Sequence, residues 1–176
     1  MKKITSFILA SLLLLCLCAC TSEPSLIGTT PVDNNPTADT PAPNKVFQIG
    51  DIVELDDVTV TLLNVTKSTG SQFNKPEEGN VFVLCEFEIS NNSNEELAVS
   101  SMLSFEAYCD DYACDYSLGA LMEKGSKDQL DGSVAPGKKM KGVVGYEIPT
   151  DWRKLEIQYT LDILDSDKIV FVATNN

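Results

Sequence analysis

Val81-Phe82-Val83-Leu84-Cys85-Glu86-Phe87-Glu88-Ile89 is the stretch on which the fold turns. Its odd-numbered positions are all apolar, while the even-numbered ones pass from Phe82 and Leu84 to Glu86 and Glu88, so the period is two. A helix would wind those glutamates into the apolar face; a strand keeps them opposite it. Working outward, Val58-Thr59-Val60-Thr61-Leu62 repeats the pattern with β-branched residues. Leu155, Ile157, Tyr159, Leu161 and Ile163 do so against Glu156, Gln158, Thr160 and Asp162. Shorter strands are expected at 52–55, 96–99, 105–109, 139–148 and 169–173. Turn chemistry separates them at Asp56-Asp57, Ser68-Thr69-Gly70, Asn91-Asn92-Ser93-Asn94, Pro136-Gly137, Pro149 and Asp165-Ser166-Asp167. Seven to nine strands result, in one all-β sandwich domain over residues 46–174. Only residues 117–130, with Leu118, Leu121 and Met122 at helical intervals, suggest a helical turn, and Gly119 and Gly125 weaken it.

Composition narrows the chemistry. The 176 residues hold 26 acidic and 13 basic side chains and no histidine, for a net charge of -13. Such a surface repels phosphate backbones, which argues against nucleic acid as a partner. Without imidazole there is no Ser-His-Asp or Cys-His nucleophile, and zinc sites that need histidine are absent. The expectation is a protein that is not an enzyme.

The N-terminal segment is a leader. Lys2 and Lys3 precede sixteen uncharged residues, Ile4 to Ala19, too short for a spanning helix and ending in small residues. Leu17-Cys18-Ala19-Cys20 resembles the bacterial lipobox, in which the cysteine is diacylglycerated and the signal peptidase cuts before it. Residues 1–19 are then the signal peptide and Cys20 the lipidated N-terminus, holding the protein at the outer face of the cytoplasmic membrane. Two acyl chains, at about 0.8 kcal/mol per buried methylene, anchor stably where one binds only marginally. Loss of Lys2 and Lys3 leaves 11 basic residues and a net charge of -15.

Residues 20–45 read as a disordered tether, with Pro24, Pro31, Pro36, Pro41 and Pro43 among Thr, Asn and Asp. A flexible coil of that length spans about 25 to 30 Å, and an extended polyproline-like spacer nearly 80 Å. The domain is therefore expected to stand off the bilayer.

Three sets of residues within the domain could carry chemistry. Cys109 and Cys114 are close enough in sequence for a disulfide, or they are free thiols, while Cys85 sits on the apolar face of its strand as a small hydrophobe. Asp110, Asp111 and Asp115 surround the first pair, and Asp162, Asp165 and Asp167 cluster later. Oxygen-rich loops at one end of a sandwich suit Ca²⁺, although Asx turns and a solvated acidic face account for the same residues without an ion. Lys138, Lys139 and Lys141 form the one basic cluster: a contact for anionic polymers, or outward lysines guarding a sheet edge.

Several segments together resemble a known family. Gly50-Asp51-Ile52-Val53, Val58-Thr59-Val60-Thr61-Leu62 and the run from Phe82 to Ser93 are similar to the opening half of the domain-of-unknown-function 4352 family of Gram-positive lipoproteins. Ala135-Pro136-Gly137-Lys138-Lys139-Met140-Lys141-Gly142, Tyr146-Glu147-Ile148-Pro149 and Trp152 look like its proline-glycine turn, following strand and closing proline. The resemblance covers about residues 46–174. It implies an immunoglobulin-like β-sandwich on a lipid anchor, similar to a secreted mycobacterial immunogenic antigen, with no catalytic residues or cofactor to carry over.

Two functions follow as expectations. One is a non-enzymatic module that binds another envelope or extracellular protein while anchored to the membrane through acylated Cys20. The other is a lipoprotein that binds calcium or a small ligand through its Asp-rich loops.

Overall fold

Strand β5 (Asn80–Asn91) is the central beam. Val81, Val83, Cys85, Phe87 and Ile89 all point into the core as the period of two requires, and Phe82 and Leu84 are buried on the opposite face. The computed structural model describes residues 23–30, 45–123, 128–161 and 167–175. Among them, twelve strands and one short helix, numbered in chain order, build two main sheets and a two-stranded flap.

The first sheet has the order β1 (Ser25–Thr29), β3 (Asp51–Leu55), β4 (Val58–Ser68), β5 and β10 (Lys139–Pro149), antiparallel throughout. The second runs β2 (Val46–Phe47), β12 (Lys168–Thr174), β11 (Lys154–Thr160), β7 (Phe105–Cys109) and β8 (Tyr112–Cys114), parallel only where β2 meets β12. The flap pairs β6 (Leu97–Val99) with β9 (Gly132–Val134). This is the expected immunoglobulin-like β-sandwich. Eight of its strands are among those expected from the sequence; β1, β2, β8 and β9, two to five residues long, are added by the structure.

The two sheets meet through a line of rings. Phe87 lies 5.0 Å from Phe105 and 5.8 Å from Phe171, and Phe105 lies 5.0 Å from Tyr159. Those tilted and edge-on contacts are the favoured aromatic geometry and bind β5 to β7, β11 and β12. Helix α1 (Leu118–Met122) covers the outer face of the first sheet, where Leu84, Leu121 and Val143 form a second small cluster. Ser117 caps it, its side chain accepting the Ala120 N–H. Burial of Phe82 and Leu84 is thereby explained: they face a helix where Glu86 and Glu88 face solvent.

The expected disordered tether is corrected at one segment. Ser25-Leu26-Ile27-Gly28-Thr29 forms β1 and pairs with β3, Ser25 opposite Glu54 and Thr29 opposite Asp51. These five residues hold no proline and two large aliphatic side chains, so they can complete an edge ladder that the Pro-rich neighbours cannot. Cys20, residues 31–44, and Asp162 and Asp165 lie outside the described residues.

Candidate functional site

Both Asp-Asp pairs are turns. Asp56 and Asp57 (φ 47° and 59°) join β3 to β4, and Asp110 and Asp111 (φ 47° and 73°) join β7 to β8. Two-residue hairpins need left-handed backbone at both positions, and Asp tolerates it better than most non-glycine residues. The Asp110 carboxylate then accepts the backbone N–H of Lys154 at 3.0 Å and of Arg153 at 3.1 Å, with the Arg153 guanidinium 3.7 Å away. Partial desolvation pushes its pKa up, but those two N–H groups and the Arg153 and Lys154 charges outweigh it and hold the carboxyl below its ordinary range. Asp111 pairs with the Lys154 ammonium at 2.7 Å. Asp115 lies beyond the end of β8, exposed. The three aspartates proposed for calcium are thus not gathered into an oxygen cage; Asp110 and Asp111 are bonded to Arg153 and Lys154, at the start of β11, instead. Among the described residues, no three His, Cys, Asp or Glu side chains are arranged to hold a metal ion.

Cys109 and Cys114 are brought together as thiols. Cys109 stands opposite Tyr112, and Cys114 opposite Ala107, so the two cysteines are diagonal neighbours whose side chains touch. Burial raises both thiol pKa values, aided by the Asp110 charge at Cys109 and by Cys109 at Cys114, which is pushed up to about 12. Such thiols are weak nucleophiles at neutral pH. Cys85 is buried in the core, as its place on β5 requires.

Lys139 and Lys141 sit on β10, an edge strand of the first sheet, and Lys138 lies in the turn just before it. Lys139 pairs with Glu88 at 2.8 Å and Lys141 with Glu86 at 3.3 Å, one step diagonally across the β5–β10 ladder. These are the outward lysines of an edge, each matched to a glutamate of its neighbour.

Two features had no clear signal in the sequence. A cleft of about 250 Å³ opens beside β8, lined by Phe105, Ala107, Cys114, Tyr116 and Tyr146, with Ser101, Glu106 and Asp115 among its polar residues. The buried Tyr146 hydroxyl has no hydrogen-bond partner within the protein, and burial holds its pKa well above the ordinary value, so it stays protonated. The second feature is an apolar patch. Phe73 is 94% exposed, and Leu118 and Met122, one turn apart on α1, are 65% and 70% exposed. Asn74 ties the Phe73 loop to the helix, donating to the Gly119 carbonyl at 2.8 Å and to Glu123 at 2.7 Å. Phe73 follows Ser71-Gln72 and precedes Asn74-Lys75, so nothing in its neighbours announces an element.

Two packed sheets, antiparallel except where β2 meets β12, define the class as an immunoglobulin-like β-sandwich. Within it, the chain belongs to the family described as Domain of unknown function (DUF4352), whose model matches residues 47–169. Solved structures share the fold. A candidate lipoprotein, ycdA, of Bacillus subtilis superposes at a TM-score of 0.57 with 17% identity, over 68% of this chain and 37% of that one. This chain therefore spans little more than a third of the ycdA protein. The yjhA protein of the same species aligns at 0.55 and 15% identity, over 71% of this chain and 97% of that one. A candidate lipoprotein of Staphylococcus aureus aligns at 0.52 and 17% identity, over 72% and 88%. No curated protein matches this sequence.

Proposed function

We propose that the chain is a lipid-anchored, non-enzymatic interaction module of a bacterial cell envelope. Acylated Cys20 holds it on the outer face of the cytoplasmic membrane, and the sandwich engages another envelope or extracellular protein. The lipobox-like Leu17-Cys18-Ala19-Cys20 supports the anchor. The observation that carries the interaction is the patch of Phe73, Leu118 and Met122. Single exposed apolar side chains are ordinary, but three on a loop and a helix that are hydrogen-bonded to each other are of the kind that marks a protein contact. A photo-crosslinking residue at position 73 in intact cells tests it. A discrete adduct is expected, and it is expected to disappear in a Leu118→Ser, Met122→Ser variant that still melts cooperatively. No adduct, or one indifferent to those changes, overturns the reading.

The Tyr146 cleft supports a second reading, capture of a small ligand with a hydrogen-bonding group. Leaving a buried hydroxyl unpaired costs about 1–3 kcal/mol, which a ligand reaching Tyr146 would recover. Soaking with a fragment set of phenols and amines tests it: density against Tyr146 supports capture, and none across the set removes the reading.

A further inference from the structure

We infer that the β1 edge of the sandwich docks on the bilayer, with Leu26 and Ile27 at the lipid interface and the α1 patch turned away from it. This rests on the lipidation of Cys20 proposed above. A tether over all of residues 20–45 would hold the domain at a distance, but β1 leaves only its first residues free. Ser25 is hydrogen-bonded into the domain opposite Glu54, only five peptide steps from Cys20. Five residues reach at most about 18 Å when fully extended. Residues 31–44 follow β1 in the sequence and so add nothing to that leash.

Position and chemistry then agree on what faces the lipid. Leu26 and Ile27 are 46% and 53% exposed on β1, six and seven residues from the acyl chains. Apolar side chains placed at a headgroup boundary bury there, and a covalent anchor supplies the proximity that two side chains alone would not.

The α1 patch occupies the opposite corner of the same sheet. Ser25 lies one residue from the β3–β4 turn, at the end where Asn92 N–H bonds the Asp57 carbonyl and Asn91 N–H bonds the Lys138 carbonyl. Helix α1 packs near the other end, against Phe82 and Gly145, on the β5–β10 side. Four strand spacings of about 4.8 Å separate β1 from β10, and seven residues at about 3.4 Å separate Ile89 from Phe82 along β5. Whether the sandwich stands on its end or leans on its edge, that corner is the far one. The anchor thereby presents Phe73, Leu118 and Met122 outward, where a partner can reach them.

The test uses the full, lipidated chain in phosphatidylcholine nanodiscs doped with nitroxide-headgroup lipid, read by paramagnetic broadening of backbone amides. Broadening is expected to be at least about tenfold stronger at residues 26–29 and 51–55 than at 118–122, given a corner-to-corner separation of about 30 Å at those strand spacings. Equal broadening, or stronger broadening at 118–122, overturns the docking. A Leu26→Ser, Ile27→Ser variant is expected to narrow the contrast, and an unchanged contrast also overturns it, whether or not exchange shows residues 25–29 still paired. A chain that fails to co-float with the lipid overturns lipidation and docking together. One that floats with uniform broadening overturns the docking alone.

Discussion

Gly145 on β10 lies directly beneath Ala120 of α1: a Cβ added at Gly145 would stand 2.8 Å from the Ala120 Cβ and 3.2 Å from the Leu121 nitrogen. The neighbour is a short side chain and backbone, so neither can swing aside. Helix α1 reaches the sheet only because position 145 has no side chain.

Gly145→Ala is therefore expected to lift α1 and destabilise the domain by about 1–3 kcal/mol, the usual cost of overpacking. The thermal melt should fall by several degrees, and Phe82 and Leu84 should become more exposed to solvent. A melt equal to that of the unaltered chain would show that α1 does not depend on this approach.

Asn91 is buried at the end of β5 with its amide fully bonded. Its Nδ2 donates to the carbonyls of Glu95 and Val134, both at 2.7 Å, while Oδ1 accepts from the Ser93 N–H and hydroxyl. Asn91→Ala is expected to cost about 1–3 kcal/mol and to loosen the β6–β9 flap first, because the buried Val134 carbonyl on β9 loses its donor. Hydrogen exchange should accelerate in residues 97–99 and 132–134 before it does elsewhere. Uniform acceleration would contradict a local clamp.

Asp110 makes stability depend on pH in one direction. Its folded pKa lies below the ordinary value, so its contribution is present above about pH 4, where the unfolded carboxyl is ionised, and is lost as pH falls through the folded pKa. The melting temperature should decline in that acid range, and Asp110→Ala should flatten part of the decline. A variant with an unaltered acid limb would show that the turn carboxylate contributes nothing.

Because Asp110 and Asp111 are bonded to Arg153 and Lys154, calcium has to displace existing partners. Millimolar calcium, followed by chelator, is expected to leave the melt of residues 23–176 unchanged, whereas a site saturated to 100 times its Kd would add about 2.7 kcal/mol. A calcium-dependent rise abolished by Asp110→Asn, Asp111→Asn and Asp115→Asn would restore the ion-binding expectation.

The reduced protein should be slow to alkylate. With its pKa pushed to about 12, Cys114 carries little thiolate at pH 8, and iodoacetamide should label it more than about a hundredfold more slowly than free cysteine. Cys85 should react only after unfolding, since burial in the core both shields it and raises its pKa. Rapid labelling of Cys114 in the folded state would mean that the β7–β8 hairpin opens readily.

Local sequence was sufficient wherever a residue's neighbours along the chain decide its state. The alternation from Val81 to Ile89 required a strand with one buried face, Pro136-Gly137 required a turn, and the alternation after it turned Lys139 and Lys141 outward, because a period of two is set by backbone geometry alone; that β10 is an edge came only from the sheet order. Asp56-Asp57 and Asp110-Asp111 are one device, a two-residue hairpin, used twice; for the second pair the sequence allows both a turn and an ion site, and the structure makes it a turn.

Other features depended on residues distant in the chain. Ser25 to Thr29 had too short a pattern to stand out from the prolines around it, and became a strand because β3 offers an unpaired edge. Phe82 and Leu84 needed α1 above them, and α1 needed Gly145 below it. Whether Asp110 meets an ion or the N–H groups of Arg153 and Lys154 is a matter of where the β10–β11 connection passes. The cleft at Tyr146 and the patch at Phe73, Leu118 and Met122 are likewise products of packing. Burial, partnership and proximity are properties of space, and a one-dimensional pattern constrains them only through the elements it nucleates.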